Sequence, residues 1–475
     1  MTSEMDKPGA RISGRKGWMI YGILLGIQMV LYVALFWPGY GQPHVLRFIL
    51  IAIGASVLWL LTLYFLGARS RSCRIKYSIL LVGLIAGALF RAICFAGAGE
   101  QTYLSDDVYR YVWDGRLLHH GLNPFAIAPD DANYNPLVAP LADDYIYPKI
   151  NHPSFPSIYP PVSQALFFLA DTVSDSTVYG FKIVSLLFEL LTLLTMATLL
   201  KAYNLPRWYL LLYWLAPLPI LEFSLSAHHD LLLLPFLTLV LLFQRRKQVV
   251  ATALFLVLAS LTKFIVALAI PALSLSFVGR DRLKFALTVI VTTALIYAPF
   301  WFWLEPRGLF GSLMDYLSQW QYNGSLYTLT ERGISLVSEH SATIARGFVS
   351  LLLGITIGVA TVRFKDKVQA AYVCLLAYTA LTTTLFPWYL VVFFPFLLLY
   401  RGQAIMSLMA LVWLSYWGLI GQLDTGFWYD NWWLRTLQYV PFYILLTLSF
   451  KHNLLAQRKS HQEESQQQGS QYCAI

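Results

Sequence analysis

The sequence predicts an all-α, polytopic integral membrane protein with about 12–14 transmembrane helices. The composition is 57% hydrophobic and only 12% charged, whereas soluble domains carry about 25% charged residues. Apolar runs of about 20 residues, the length of a bilayer-spanning helix, recur along the chain. A β-barrel would instead show short segments of alternating hydrophobicity.

The apolar runs define the candidate spans, and several are short enough for two neighbours to form a re-entrant hairpin. The candidate spans are 18–37, 45–67, 77–97, 178–200, 208–225, 231–243, 249–262, 264–278, 284–303, 342–362, 368–386, 388–400, 404–420 and 433–450.

Basic residues predict the orientation of these spans, because loops rich in Lys and Arg remain cytoplasmic. Clusters such as Arg245, Arg246 and Lys247 gather most of the 34 basic residues on one face. Both termini are therefore expected in the cytoplasm. The four cysteines have no metal or disulfide spacing and are predicted to be packing residues.

This orientation divides the chain into five regions. They are a cytoplasmic N-terminal segment (1–17), the first three transmembrane helices (18–97), an outer catalytic loop with amphipathic surface helices (98–176), the remaining transmembrane helices with an outer loop at 304–341 (177–450), and a disordered cytoplasmic tail (451–475).

The outer loop begins with the charged and aromatic stretch LSDDVYRYVWDGRLLHHGLNPF, which predicts a helix over 106–120. Ser105 is a candidate N-cap, and Gly121 is a helix stop. Two interpretations of Asp106 and Asp107 are open. They can act only as helix caps, or one can take the proton from a hydroxyl group as that group attacks.

Asp106, Arg110 and Asp114 are spaced four residues apart on one helix face, so Arg110 can pair with either acid. This arginine and the helix dipole favour an ionised carboxylate. Consecutive helical residues diverge by about 100°, which predicts different roles for Asp106 and Asp107.

Further polar groups are predicted on the same outer face. The adjacent His228, His229 and Asp230 can bind a divalent metal or a phosphate, or can be hydrogen-bonded interfacial residues. Lys263 lies in an apolar hairpin, and its expected partner is a lipid phosphate. Snorkelling of this lysine to the interface is the alternative.

Side chains that suit a sugar complete the predicted site. Trp388 and Tyr389 follow a helix-breaking proline, and a Trp ring there can stack on a pyranose or a prenyl chain. An ordinary interfacial belt is the alternative for such aromatic residues. The remaining candidates for substrate binding are Asn123, His152, Tyr159, Tyr322, Asn323 and Arg332.

The chain has no Gly-rich phosphate loop and no α/β domain, which argues against a nucleotide-sugar donor. No nucleic-acid partner is expected. A sugar donor should therefore be linked to a lipid and reach the site from the outer side of the membrane.

These motifs resemble the GT-C superfamily of polyprenyl-phosphate-sugar-dependent glycosyltransferases. The similarity is to the bacterial branch related to polyprenol-phosphate-mannose mannosyltransferases and to GPI mannosyltransferases, and it covers most of the membrane region. The stretches that carry it are SDDVYRYVWDGRLLHHGLNPF, INHPSFPSIYPP, SAHHD, LTKF and FPWYLVVFFP.

The resemblance implies an inverting transfer of a hexose, with mannose preferred, from a polyprenyl-phosphate donor to a lipid or glycan acceptor. It implies a bacterial inner membrane, with the site on the outer side. The family's base aligns with Asp106. This chain has Asp-Asp where relatives have Asp-Glu or Asp-x-Asp, so the choice between Asp106 and Asp107 remains open.

The resemblance also implies contacts to the lipid phosphate from Lys263 and from Arg332 or His228. No cofactor and no tightly bound metal are expected, although some members of the superfamily use a divalent cation. Two other functions remain open. A transporter or flippase for a lipid-linked sugar would show inverted repeats, and a glycan polymerase or ligase would bind a diphosphate.

Overall fold

The computed structural model describes most of the chain, and the outermost parts of both predicted cytoplasmic termini lie outside the described residues. The described residues are 14–36, 45–72, 77–100, 102, 104–142, 145–174, 177–303, 308–400, 402–425, 431–449 and 451. Within these ranges the chain is mainly helical and forms no β-strand beyond isolated bridges, so the predicted all-α class is confirmed.

The helices follow the apolar runs closely. In chain order they are α1 (Gly14–Ala34), α2 (Val45–Ser72), α3 (Tyr77–Ala98), α4 (Asp107–His119), α5 (Pro161–Ser174), α6 (Val178–Ala202), α7 (Leu210–Trp214), α8 (Pro217–Pro219), α9 (Leu234–Arg245), α10 (Val249–Ser260), α11 (Ile270–Ser274), α12 (Gly279–Tyr297), α13 (Gly311–Gln319), α14 (Leu326–Ser335), α15 (Ser341–Arg363), α16 (Lys367–Leu381), α17 (Phe394–Tyr400), α18 (Gln403–Leu411), α19 (Trp417–Thr425) and α20 (432–449).

Seven helices among the described residues are long and apolar enough to cross a membrane, or eight if one bent pair counts as a span. Shorter apolar helices, such as Val249–Ser260 and Phe264–Ser274, occupy the region where the sequence predicts short spans. The polytopic membrane class is therefore confirmed, and the total of 12–14 crossings remains a prediction.

The chain divides into two compact units, each of which is described by itself. The first contains Met1–Phe264 and Leu283–Leu313, and the second contains Ile265–Arg282 and Met314–Ile475. In the second unit, α14 packs against α15 and α15 packs against α16. Only a small part of the apolar surface of α15 is buried, so most of it is available to lipid.

α4 lies in the core of the first unit. Its residues from Val108 to Leu117 are all buried, so this helix packs within the protein, and its place at the outer membrane surface stays a prediction. The reason for its burial is close packing against α5. A Cβ atom at Gly115 would lie 2.7 Å from the Phe167 carbonyl oxygen, so only glycine permits this approach. Gly121, with φ +68°, follows the helix end as predicted.

A break between α7 and α8 bends one apolar helix pair by 47°. Pro217 and Pro219 lack the N–H groups that would continue the helix. Side chains from three other helices donate to the carbonyl groups at this break: Gln28 to Leu215 at 3.0 Å, Trp59 to Leu212 at 3.1 Å and Arg91 to Trp214 at 2.7 Å. The broken helix is thus satisfied within the protein, as an apolar surrounding requires.

Candidate functional site

The two aspartates at the start of α4 converge on one amide group. Asn151 Nδ2 donates to Asp106 Oδ1 at 2.8 Å and to Asp107 Oδ1 at 2.9 Å. The predicted divergence of about 100° applies to consecutive helical residues, but Asp106 lies before the first helical residue. Both carboxylates therefore belong to the same site.

The interpretation of these aspartates as helix caps is not supported. Asp106 occupies the N-cap position of α4, yet its side chain makes no capping hydrogen bond. The Ser105 hydroxyl accepts from the Asp107 N–H only at a long 3.4 Å. Its closer contact is with His228 Nε2, at 2.9 Å. The carboxylate of Asp106 is thus not committed to the helix terminus.

The pKa of Asp106 is shifted upward, whereas the sequence predicts a downward shift. Although Asp106 is exposed at the surface, desolvation by the surrounding protein atoms and the neighbouring charge of Asp107 raise the pKa of its carboxyl group. The hydrogen bond from Asn151 and the proximity of His152 act in the opposite direction. Arg110 does not contribute to a lowered pKa, because it pairs with Asp114 instead.

Arg110 and Asp114 form a buried pair within α4. Arg110 Nε lies 2.8 Å from Asp114 Oδ1, and Arg110 Nη1 donates to the Phe155 carbonyl at 2.9 Å. Asp114 also accepts hydrogen bonds from Ser157 and Gln164. These contacts fasten the 151–164 segment to α4. They support the site, and a direct contact with substrate remains a prediction for this pair.

The adjacent histidines have different surroundings. His228 Nδ1 lies 3.1 Å from Glu222 Oε2, and its Nε2 lies 3.9 Å from Asp107 Oδ2. Burial lowers the pKa of His228, but the hydrogen bond and charge of Glu222 outweigh this effect and raise it. His229 packs edge-on against Tyr111 and Tyr159.

His229 is neutral, because burial lowers its pKa to about 3. Asp230 pairs with Lys263, whose Nζ lies 2.9 Å from Asp230 Oδ1. The sequence treats these two residues as separate candidates, and the fold joins them. Within the described ranges, no group of three or more His, Cys, Asp or Glu side chains is arranged to hold a metal ion.

Three residues with left-handed backbone conformations adjoin this site. Leu104, His152 and Ala227 have φ values of +64°, +44° and +59°. They lie beside the Ser105–Asp107 turn, Asn151 and His228. Left-handed conformations are costly for residues other than glycine and cluster at functional sites. The backbone therefore carries local strain where the site residues are presented.

Other predicted residues of the first unit have structural contacts. Asn123 holds the turn after α4, with its Oδ1 accepting from the Phe125 N–H at 3.0 Å and its Nδ2 donating to the Phe300 carbonyl at 3.2 Å. Tyr159 lies edge-on to Tyr111, at 5.1 Å between ring centroids.

The second unit contains the remaining candidates. Phe386 lies between two parallel rings, with Tyr322 at 4.2 Å and Trp388 at 4.5 Å between centroids. One face of the Trp388 ring is thus covered, and only 6% of this residue is exposed. Tyr389 shares a hydrogen bond with Tyr316 at 2.8 Å.

Two polar candidates of this unit also have contacts within the protein. Asn323 is buried and donates to the Leu385 carbonyl at 3.3 Å. The Arg332 guanidinium lies 4.6 Å from the centroid of the Trp432 ring.

Sequence reasoning missed Asn151 and Glu222 as site residues. Glu222 is an isolated acid at the end of an apolar run, and an ionisable group in such a position is a functional signal by itself. Asn151 gives no comparable signal, because its partners lie 44 and 45 residues away. Ser105 was predicted as a cap, and its hydroxyl makes a long hydrogen bond with the Asp107 N–H and a shorter one with His228.

A comparison with known proteins finds one family model that matches the part of the chain containing this site. Residues 102–279 match the MptA_B family model, described as alpha-(1→6)-mannopyranosyltransferase, N-terminal domain. The matched segment is less than half of the chain and contains every site residue of the first unit from Ser105 to Lys263. A search of curated proteins finds no match. Over residues 102–279 the chain is thus similar to a mannosyltransferase domain family, and this match supports glycosyltransferase activity and the resemblance to the GT-C type.

Proposed function

We propose that this protein transfers a mannosyl group from a polyprenyl-phosphate donor to a lipid or glycan acceptor at the outer side of the bacterial inner membrane. The family description and the position of the aspartate pair within the matched segment support this proposal. The predicted orientation places basic loops in the cytoplasm and α4 on the opposite side.

Asp106 is the proposed catalytic base. In the proposed step, an acceptor hydroxyl attacks the anomeric carbon, its proton passes to Asp106, and the bond from that carbon to the phosphate oxygen breaks. The polyprenyl phosphate leaves with the bonding electron pair. An inverting step that forms an α linkage requires a β-linked donor, and the α-(1→6) linkage in the family description suggests such a product.

The observation that carries this assignment is the pairing of both carboxylates with Asn151 while Asp106 reaches solvent. A base is most effective when its pKa lies near the working pH, and burial together with Asp107 raises the pKa of Asp106 in that direction. Asp107, which lies near His228, is proposed to orient the acceptor.

Lys263 is the proposed phosphate contact; His228, the other candidate, is buried and its ring nitrogens are engaged by Glu222 and Ser105. Lys263 is paired with Asp230 but remains partly exposed, at 17% of its side chain. A donor phosphate would share this ammonium group with Asp230, because Lys has three N–H donors. Arg332 is a further candidate for contact with the donor phosphate, and only its position in the sequence supports this role.

The test compares Asp106→Asn with Asp107→Asn in transfer from radiolabelled polyprenyl-phosphate-mannose. Loss of a general base should lower kcat by about 10²- to 10⁴-fold for Asp106→Asn, with a smaller loss for Asp107→Asn. Asp130→Asn, an acid-to-amide change in the same loop, is the control and should retain activity. Full activity in both site variants would overturn the mechanism.

Mass spectrometry of the bound lipid tests the donor class separately. We expect a sugar linked through one phosphate. A diphosphate-linked glycan would instead indicate a polymerase or ligase. A lipid-linked sugar that crosses vesicle membranes without transfer would indicate a flippase.

A further inference from the structure

We propose that Glu222 and His228 form a buried positioning pair that fixes Asp107 beside the catalytic base. This inference rests on the proposed transferase function and assigns a role to Glu222 within it. His228 Nδ1 lies 3.1 Å from Glu222 Oε2, and His228 Nε2 lies 2.9 Å from Ser105 Oγ and 3.9 Å from Asp107 Oδ2. The imidazole thus connects a buried carboxylate to the start of α4.

The backbone that brings these two side chains together is unusual. Glu222 lies in a π-helical turn, Ile220–Leu225, and such turns are rare and often occur at functional sites. Ala227 then adopts a left-handed conformation with φ +59°. The His228 N–H donates to the Glu222 carbonyl at 3.0 Å, so the chain turns back on itself.

This turn resembles a helix C-cap of the Schellman type, widened by one residue. It brings the His228 side chain next to the carboxylate of Glu222. The two ring nitrogens then contact Glu222 and Ser105. A regular α-helix through this segment would separate residues six positions apart by about 9 Å along its axis. The irregular backbone is therefore what creates the pair.

The charges around His228 favour its protonated form. The ionisable groups that face it are Glu222, Asp107 and Asp230, with the neutral His229 beside it. Three acids around one imidazole stabilise a positive charge, although burial opposes it. A protonated His228 donates from both nitrogens, to Glu222 on one side and towards Ser105 and Asp107 on the other.

A positive charge at this point has a consequence for the aspartate pair. Asp107 lies near the imidazolium, whereas Asp106 has Asp107 as its neighbour. The imidazolium places a positive charge near Asp107, and the charge of Asp107 in turn is one cause of the raised pKa of Asp106. The pair Glu222–His228 therefore supports the different roles of the two adjacent aspartates.

The pH dependence of transfer tests this inference. Since protonated His228 is lost as the pH rises through its pKa, kcat should fall on the alkaline side. Glu222→Gln removes the main cause of the raised pKa, so this alkaline limb should move to lower pH. Glu222→Asp keeps the charge and should restore part of the original profile. His228→Gln should remove the limb and lower kcat by at least tenfold, with KM for the acceptor less affected.

Asp171→Asn is a matched control. Asp171 Oδ2 lies 3.4 Å from His119 Nε2, which is a second histidine–carboxylate contact in the same unit but outside the site. This variant should keep the wild-type pH profile. An unchanged profile in Glu222→Gln, or an equal change in Asp171→Asn, would overturn the inference.

Failure of the positioning pair and failure of the proposed catalytic base can be distinguished experimentally. If Glu222→Gln does not fold, the alkaline limb of His228→Gln still decides the question, because persistence of the wild-type limb in that variant would overturn the inference. If Asp106→Asn remains fully active, the proposed base fails independently. Loss of activity in Asp106→Asn with an unaltered profile in Glu222→Gln would reject only the role of the positioning pair.

Discussion

The amide of Asn151 lies 2.8 Å from Asp106 Oδ1 and donates a hydrogen bond to it. The same nitrogen donates to Asp107, so a residue far along the outer loop completes the aspartate site. The site therefore forms only when the segment that contains Asn151 folds back onto the start of α4. The contacts of Arg110 and Asp114 with the 155–164 segment support this arrangement.

Replacement of Asn151 by Ala should shift the acid limb of the transfer rate to higher pH. Activity requires ionised Asp106, so the rate rises as the pH passes upward through the pKa of this group. The Asn151 hydrogen bond lowers that pKa, and its loss raises it further. The measurement is kcat/KM against pH, which reports the free enzyme.

Asp107→Asn should move the same limb in the opposite direction. The charge of Asp107 raises the pKa of Asp106, so a neutral amide lets Asp106 ionise at lower pH. Shifts of the same sign in Asp107→Asn and Asn151→Ala would contradict the assignment of Asp106 as the titrating base.

Asp114→Ala should lower the free energy of unfolding by about 3–5 kcal/mol, because it leaves the Arg110 guanidinium buried without its carboxylate. Denaturant unfolding in detergent micelles measures the change. The exposed Glu339→Ala is the control, with an expected change within about 0.5 kcal/mol. Equal stability of the two variants would argue against a buried ion pair in α4.

Gly115→Ala should destabilise the protein by about 1–3 kcal/mol, because the added methyl group would meet the backbone of α5 at the Phe167 carbonyl. Gly347→Ala in α15 is a matched helical control, since its Cβ would meet no atom within 4 Å. That change should be neutral or stabilising by up to about 1 kcal/mol. Thermal unfolding followed by fluorescence distinguishes the two outcomes.

Arg91→Ala should destabilise the first unit by about 3–5 kcal/mol, because Glu189 is then buried without its cationic partner and keeps only the hydrogen bond from Tyr213. The double variant Arg91→Met with Glu189→Met should recover part of this loss, since it removes both charges and restores apolar volume. Full recovery is not expected, because the Trp214 carbonyl at the helix break still lacks its donor. A double-mutant cycle measures the coupling between the two sites.

The long helices could be predicted from the sequence because each depends on a continuous apolar run. The predicted spans 45–67 and 77–97 correspond to Val45–Ser72 and Tyr77–Ala98. The helix at the start of the outer loop was predicted at 106–120 and runs from Asp107 to His119. Its burial could not be predicted, because the covering segment has no regular apolar period.

The site could be predicted only in part, because its contacts join residues that are distant in sequence. The aspartate pair is visible as two charges between apolar stretches, whereas its bond to Asn151 depends on how the loop folds. The π-helical turn that joins Glu222 to His228 also has no periodic signature. Arg91 and Glu189 illustrate a neglected signal, since two opposite charges within apolar spans predict each other as partners.

The left-handed residues Leu104, His152 and Ala227 also bear on how this protein can change by mutation. Replacement of any of them by glycine relieves backbone strain and is an obvious choice for thermostabilisation. Each lies next to a residue of the candidate site, so a gain in thermal stability would be accompanied by a less rigid arrangement of the site side chains. We therefore expect selection for catalytic turnover and selection for thermal stability to oppose each other at these three positions.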